Sequence, residues 1–426
     1  MSTRGRFIFF VVFVLFLCFV LTTLSHAQFY QPFQQELDLA LTKARWRVGP
    51  FRLYPTIQFR DIGYDNNIYR MRENDEPIAD FRATISPEIK AYLLYRDWMI
   101  FTFTENPEYV FFAKETRERS FNNEFNADLK VLLFRRFVLS GGYGYLNARR
   151  RATSEFDVRA DMKARTSTFN FFYESASRLS FGFTGQVRDY KFEDIFAPGE
   201  EIYVSRQLDR EETSGVLEIY YRIHSQTLFF LSGGFSEYVF DYPESKWRDS
   251  YSYQVYSGLR FPLLGRMRGT IALGYKQLNP RAEYKKKFSG IVGNTFIDYR
   301  VGRFALRFGY NKDVHFSYWT NNAYFIENRY TPGLSFYLNQ FIRLDYNFFY
   351  GKSRYPEAEV IRLPDEGYVE FFRTDKHYSH TAGFVVRLVR NTGIGLTVNY
   401  WRRDSTDFRQ NRSRWFVGGF ITYEFY

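Results

Sequence analysis

The sequence predicts an all-β protein, a transmembrane antiparallel up-and-down β-barrel of about 18 strands, with about 16 as the alternative count. Three features carry this expectation. Apolar and polar residues alternate: Phe81, Ala83, Ile85, Pro87, Ile89, Ala91 and Leu93 are separated by Arg82, Thr84, Ser86, Glu88, Lys90 and Tyr92. A strand with that period has one apolar and one polar face. The aromatic content is 21%, as 49 Phe, 35 Tyr and 6 Trp. One soluble core rarely holds so many rings, whereas membrane-interface girdles do. The third feature is an export leader.

The leader spans residues 1–27. Arg4 and Arg6 form its basic start, Phe7 to Leu21 its apolar run, and Ser25-His26-Ala27 its small-residue cleavage site. The single cysteine, Cys18, lies inside it. The mature chain therefore has no disulfide, thiolate metal site or cysteine nucleophile. Beyond the leader no apolar run approaches the roughly 20 residues of a membrane helix. The mean hydropathy of −0.40 fits a barrel, in which lumen-facing polar residues offset lipid-facing ones. Residues 28–50 read as a periplasmic lead-in. Leu37, Ala40, Leu41 and Ala44 recur there at helical spacing, the mark of a short amphipathic helix. It is either an inconsequential leader to the barrel or a lid or plug entering it.

The barrel is expected over 51–426, with strands at 53–64, 80–95, 98–112, 120–134, 137–146, 156–174, 178–192, 213–224 and 227–241. The second half reads 250–263, 267–279, 289–301, 303–312, 329–338, 341–351, 378–389, 392–403 and 414–426. Tight connections such as Arg96-Asp97, Arg135-Arg136, Gly302-Arg303, Asn339-Gln340 and Arg390-Asn391 alternate with longer polar ones. The longest are 193–212 and 352–377. Short periplasmic turns alternating with long outer loops are the usual barrel arrangement. A phase slip between Ala164 and Phe169 predicts a bulge.

Clean alternation assigns faces. Toward lipid fall Phe121, Phe125, Leu129 and Val131; Tyr251, Tyr253, Val255 and Leu259; Phe304, Leu306, Phe308 and Tyr310; Ile342, Leu344, Tyr346 and Phe348. Toward the interior fall Glu124, Asp128, Lys130, Asp157, Arg159, Asp161, Lys163, Arg165, Arg260, Arg268, Arg307, Arg343, Asp345 and Arg387. An Arg or Lys facing lipid at mid-depth costs roughly 2–4 kcal/mol, so this segregation implies a polar lumen. The pore-lining candidates are Arg82, Lys90, Arg159, Lys163, Arg165, Arg260, Arg268, Arg307, Arg343 and Arg387. They form either an anion-attracting path or cross-strand pairs that hold the wall. Tyr92 and Tyr256 either stack on sugar rings or pack in the wall.

No catalytic, metal or cofactor site is expected. On a strand His377 and His380 point to opposite faces, and His224 and His315 have no local serine-and-carboxylate setting. Gly141-Gly142-Tyr143-Gly144 sits inside a strand pattern and is no phosphate loop. The net charge is +11, of which Arg4 and Arg6 of the leader supply two. On an exported chain this excludes nucleic acid and favours acidic lipopolysaccharide outside or an anionic solute within. The end, Gly418-Gly419-Phe420-Ile421-Thr422-Tyr423-Glu424-Phe425-Tyr426, resembles the final strand that outer-membrane barrels present to their assembly machinery.

The stretch Leu53-Tyr54-Pro55-Thr56 through Gly63-Tyr64-Asp65-Asn66-Asn67-Ile68-Tyr69-Arg70 resembles the opening of the putative β-barrel porin 2 family. There the first strand closes on Gly-Tyr-Asp-x-Asn-(Val/Ile). The resemblance implies an outer-membrane barrel associated with exopolysaccharide production, passing polymer outward with periplasmic export components. Asp65 and Asn67 are the matched positions, expected to shape the turn after the first strand. The expectation is thus a channel in a Gram-negative outer membrane, most simply one for a secreted polysaccharide, with the loops near 193–212 and 352–377 gating its outer mouth. The alternatives are a general diffusion porin with anion preference, an outer-membrane lipid hydrolase, and a structural or adhesive barrel without an open bore.

Overall fold

The computed structural model describes residues 33–43, 46–175, 178–197, 200–224, 227–264, 266–319, 321–363, 367–389 and 391–425. The export leader expected at 1–27, Ala44 and Tyr426 lie outside the described residues.

Eighteen strands build the wall. β1 (Phe51–Asp65), β2 (Asp80–Tyr95), β3 (Met99–Phe112), β4 (Ser120–Leu133), β5 (Phe137–Arg150) and β6 (Ala160–Tyr173) come first. β7 (Leu179–Phe192), β8 (Arg210–Arg222), β9 (Leu228–Phe240), β10 (Ser250–Leu264), β11 (Met267–Pro280) and β12 (Phe288–Val301) follow. The last six are β13 (Phe304–Phe316), β14 (Tyr324–Tyr330 continued by Gly333–Tyr337), β15 (Ile342–Arg354), β16 (Thr374–Val389), β17 (Thr392–Ser405) and β18 (Arg412–Glu424). Successive strands pair antiparallel. β7 and β8 lie side by side, with the Arg222 N–H donating to the Arg178 carbonyl at 2.7 Å. β1 pairs with β18 and closes the barrel. The all-β barrel and its strand number are those the sequence predicts.

Within β14 the ladder is interrupted at Thr331-Pro332, yet the register against β13 is the same on both sides, Tyr310 facing Tyr330 and Arg307 facing Gly333. Proline has no N–H to give the ladder. The tight turns place Arg96, Phe134, Arg135 and Gly302 at φ of 52°, 51°, 58° and 55°, the left-handed backbone that matches short hairpin loops to strand twist. At another such turn, Asn339 Oδ1 accepts from the Phe341 and Ile342 N–H groups at 2.8 Å each.

The bulge expected between Ala164 and Phe169 is absent: β6 keeps one register against β5 from Ala160 to Tyr173. Its outer face changes from aromatic Tyr173, Phe171 and Phe169 to charged Arg165, Lys163 and Asp161 without changing phase. The strand leaves the lipid and continues into water. The irregularity lies instead in β1 around Arg60 and Asp61, where the register shifts against both neighbours and Asp61 has φ 54°. Beyond it Gly63 lies flat against β18, where a Cβ would run into the Val417 carbonyl and Gly418.

Inside the bore lies helix α1 (Phe33–Lys43), joined to the wall by a short strand, Trp46–Val48, that pairs with the start of β1. Phe33, Leu37 and Ala40 are buried against Tyr92, Leu94, Ile100, Val138, Phe172, Tyr220, Phe230 and Ala272. These wall residues lie at the end of the barrel with short turns, which is the periplasmic end of such proteins.

Candidate functional site

The interior is built by one parity of each strand. Three zones follow one another from the short-turn end to the long-loop end.

The first is the helix. The Tyr54 hydroxyl donates to the Ala40 and Leu39 carbonyls at 3.0 and 3.2 Å, near the C-terminal end of α1. Lys130 Nζ donates to Glu36 Oε2 at 2.5 Å. An apolar stripe, one ion pair and one hydroxyl hold the helix across the bore.

Above it is a cavity of about 920 Å³ bounded by Glu36 and the inner faces of β4 to β8. Asn126, Ser140, Thr166, Thr168, Asn170, Thr184 and Gln186 line it, with Arg188, Tyr190 and Glu218. Gly142, Gly144 and Gly182 lie in the same wall, where an added Cβ would press on Asp128 Oδ2, Asn126 Oδ1 and the Phe172 ring at 3.0, 2.8 and 3.1 Å. Asn170 Nδ2 donates to Ser140 Oγ at 3.0 Å and Gln186 Nε2 to Thr168 Oγ1 at 3.3 Å. The Arg188 guanidinium donates to Thr166 Oγ1, Tyr190 Oη and Gln186 Oε1 at 3.2, 2.9 and 3.2 Å. Charged Glu124, Asp128, Lys130 and Arg150 line the same wall. Its amides and hydroxyls can exchange hydrogen bonds with a polyhydroxylated guest.

The third zone is a set of loops folded over the outer mouth. Glu155, in the loop after β5, accepts from Ser317 Oγ at 2.7 Å and the Tyr318 N–H at 2.8 Å, in the loop after β13. Phe156 and Tyr318 meet edge to face at 4.7 Å. Arg403 of β17, fully buried, donates to Asp157 Oδ2 at 2.5 Å and to the Glu155 carbonyl at 3.3 Å. Arg248 donates to Gln207 Oε1 at 2.6 Å and the Tyr318 carbonyl at 3.0 Å. Burial pushes the Glu155 carboxyl above its ordinary range, against the donors from Ser317 and Tyr318. Burial likewise pushes Asp209, at the loop end of β8, up to about 6.

The structure distributes the residues proposed to line the pore. Arg82 and Lys90 project inward; Arg82 lies between Asp61 at 3.3 Å and Asp65 at 3.9 Å, and Lys90 sits over the Tyr92 ring at 5.2 Å. Arg268 and Arg307 both bond Asp298, at 2.6 and 3.2 Å. Arg343 bonds Asp345 at 2.9 Å. Arg260 shares the inner face with Glu218 and Tyr220, and Arg387 lies on the inward parity of β16 at its short-turn rim. Arg159 is in a loop, clamped on Glu118 at 2.9 Å. Lys163 and Arg165 are corrections. They project outward, because Ala164, Thr166 and Thr168 face the cavity and Lys163 pairs with Glu193 at 3.0 Å on the outer surface. Asp161 shares that outer face. The alternation assigns their charged parity to the interior, yet above the lipid an outer face tolerates charge. His377 is buried inside and His380 lies outside against the Tyr346 hydroxyl at 2.9 Å. Among the described residues no cluster could hold a metal ion.

Sequence reading missed Arg188, the Glu36–Lys130 latch and the Glu155–Arg403 network. The latch and the network depend on partners far apart in the chain, whereas Arg188 bonds Gln186 and Tyr190 of its own strand and Thr166 of the next. It also gave Asp65 and Asn67 too small a role. Arg414 Nε of β18 donates to both Asp65 oxygens at 2.7 and 2.9 Å. Asn66 Oδ1 accepts from the Trp415 N–H at 2.5 Å. Asn67 Nδ2 donates to the Ser413 carbonyl at 3.0 Å, while its Oδ1 accepts from the Met71 N–H at 2.7 Å. The motif fastens the first strand to the last.

Residues 44–419 match the family described as putative beta-barrel porin 2. The chain belongs to that family. It is an outer-membrane β-barrel of porin type. No curated protein shows significant sequence similarity to it. Among solved structures it is similar to the outer membrane protein opdK from Pseudomonas aeruginosa, at 10% identity over 88% of this chain and 98% of that one, with a TM-score of 0.48. It is similar to OccK3 (OpdO) of the same organism, at 10% identity over 88% and 95%, TM-score 0.46. The siderophore receptor PirA from Pseudomonas aeruginosa gives 8% identity over 88% and 80%, TM-score 0.45.

Proposed function

We propose that this porin passes a hydroxyl-rich, secreted polysaccharide across a Gram-negative outer membrane, and that the structure described is its closed state. The observation that supports this reading is the cavity wall of β4 to β8, where amides and hydroxyls run beside charges of both signs, Glu124, Asp128 and Glu218 against Lys130, Arg150 and Arg188. Uncharged donors and acceptors serve a hydrated sugar polymer. Interior arginines are compensated in place, Arg343 by Asp345 and Arg268 and Arg307 in part by the one carboxylate of Asp298, which weakens any anion selectivity. Passage requires α1 to leave the short-turn mouth and the Glu155 loop to lift from the other.

A second reading, small-anion diffusion, is favoured by Lys90 and Arg188. Both project inward and form no ion pair with a described residue. Planar-bilayer recordings separate the two. The polymer reading expects nearly equal anion and cation permeability and reversible current block by neutral oligosaccharides. Strong anion selectivity with no block by sugars would overturn it and leave the diffusion porin. Deleting the chain from its host should abolish extracellular polymer while leaving small-solute uptake unchanged.

A further inference from the structure

Around the outer wall, charge at the long-loop end is mostly compensated. Lys163 pairs with Glu193, Lys191 with Asp189 and Asp241, Arg149 with Asp161 and Glu118, Arg281 with Glu237, and Arg402 with Asp404. One sector differs. Along β13, β14, β15 and β16 the outward residues Tyr310, Tyr330, Tyr350 and Tyr378 stand directly opposite one another across successive strands. Their rings are 5.0, 6.0 and 5.3 Å apart in turn.

The next outward row toward the loops is Lys312, Asn328, Lys352 and Lys376, again direct cross-strand partners. Arg354 follows on β15. Below the tyrosines the same face continues into Phe308, Leu306 and Phe304 and into Phe348, Tyr346 and Leu344, so it is the lipid-facing wall. Among the described residues Lys312, Lys352, Arg354 and Lys376 form no ion pair. Asp404, opposite Lys376, is engaged by Arg402 at 2.6 Å. Like charges directly opposite in a sheet are unfavourable. Lys352 beside Lys376 is such a pair, left without a carboxylate at the depth where headgroups meet the wall.

We propose that this sector is a binding site for a phosphorylated glycolipid of the outer leaflet, its acyl chains on the apolar wall, its sugar at the tyrosine row and its phosphates on Lys312, Lys352 and Lys376. Neighbouring strands lie about 4.8 Å apart, so β13 to β16 span roughly 14 Å, the scale of a disaccharide with a phosphate at each end. Tyrosine hydroxyls at an interface offer donors to such a head. The lysine stems snorkel from the tyrosine row to the phosphates.

The test uses the full chain folded in detergent, with bis-phosphorylated lipid A, its dephosphorylated form and phosphatidylglycerol as probes, and retained lipid read by native mass spectrometry. The folded protein should retain bis-phosphorylated lipid A over both other probes, and high salt should release it. The triple variant K312Q/K352Q/K376Q should bind about a hundredfold more weakly, at the contribution of one headgroup contact per lysine. K191Q, which removes a compensated charge elsewhere on the wall, should bind as the parent does, and K312R/K352R/K376R should retain binding. Heat-modifiable gel migration establishes that each variant is folded. Equal retention of phosphatidylglycerol by the parent overturns the proposal. So does retention by the triple glutamine variant within twofold of the parent.

Discussion

Helix α1 is the element whose release should be easiest to measure. Phe33 and Leu37 are 1% and 4% exposed, and full burial of such side chains stabilises by roughly 1.5–3 kcal/mol each. The docked helix therefore rests on about 3–6 kcal/mol of apolar contact. The Glu36–Lys130 pair adds at most about 1 kcal/mol, since the lysine is partly solvated. The double substitution F33A/L37A removes most of the apolar share and should raise the undocked fraction roughly 10²- to 10⁴-fold. The assay exploits the absence of cysteine beyond Cys18. With Cys18 replaced, T168C places a single thiol in the cavity, and its labelling by a water-soluble maleimide reports access. Labelling should accelerate strongly in the F33A/L37A background while the barrel's heat-modifiable migration is unchanged. Rates equal within twofold would refute the claim that α1 closes the short-turn mouth.

Asp65→Ala should destabilise the barrel by the roughly 3–5 kcal/mol that follows from stranding a buried charge, here Arg414, read as a lower temperature for loss of heat-modifiable migration. Lys90→Gln with Arg188→Gln should move permeability toward cations, whereas the charge-conserving Lys90→Arg with Arg188→Lys should move it little. Reversal potentials in a salt gradient check both. Acidification should favour the closed outer mouth. Burial raises the Glu155 carboxyl above 4.5 and Asp209 from 3.8 to about 6, so the closed loops bind protons more tightly than open, solvated ones. Closure is then stabilised as pH falls below about 6, with Arg373, Arg248 and Tyr355 as the charged and titratable groups facing Glu155. Single-channel dwell times at neutral pH and near pH 5 should show longer closures at the lower value, and Glu155→Gln should flatten the dependence.

The wall was readable because lipid and water act on every strand, and a period of two survives wherever both are present. The boundaries that moved lie at one end. β5 runs on to Arg150, β8 begins at Arg210, β13 reaches Phe316, β14 begins at Tyr324 and β16 at Thr374, each beyond its expected limit on the long-loop side. There both faces meet water or loops, so alternation no longer marks the strand. The same loss of contrast put Lys163 and Arg165 on the wrong face. Residues such as Glu36 and Arg403 were hidden for another reason. Their roles come from partners on other elements, Glu36 meeting Lys130 across the bore and Arg403 meeting Asp157 across the mouth, and nothing local in the chain encodes those meetings.

The clasp of Asp65, Asn66 and Asn67 on Ser413, Arg414 and Trp415 also bears on biogenesis. The residues that it joins are translated at opposite extremes of the barrel, so a ribosome product truncated before Arg412 leaves Asp65, Asn66 and Asn67 without their partners on the last strand. Closure of the cylinder, which needs the first strand paired with the last, then awaits the finished polypeptide.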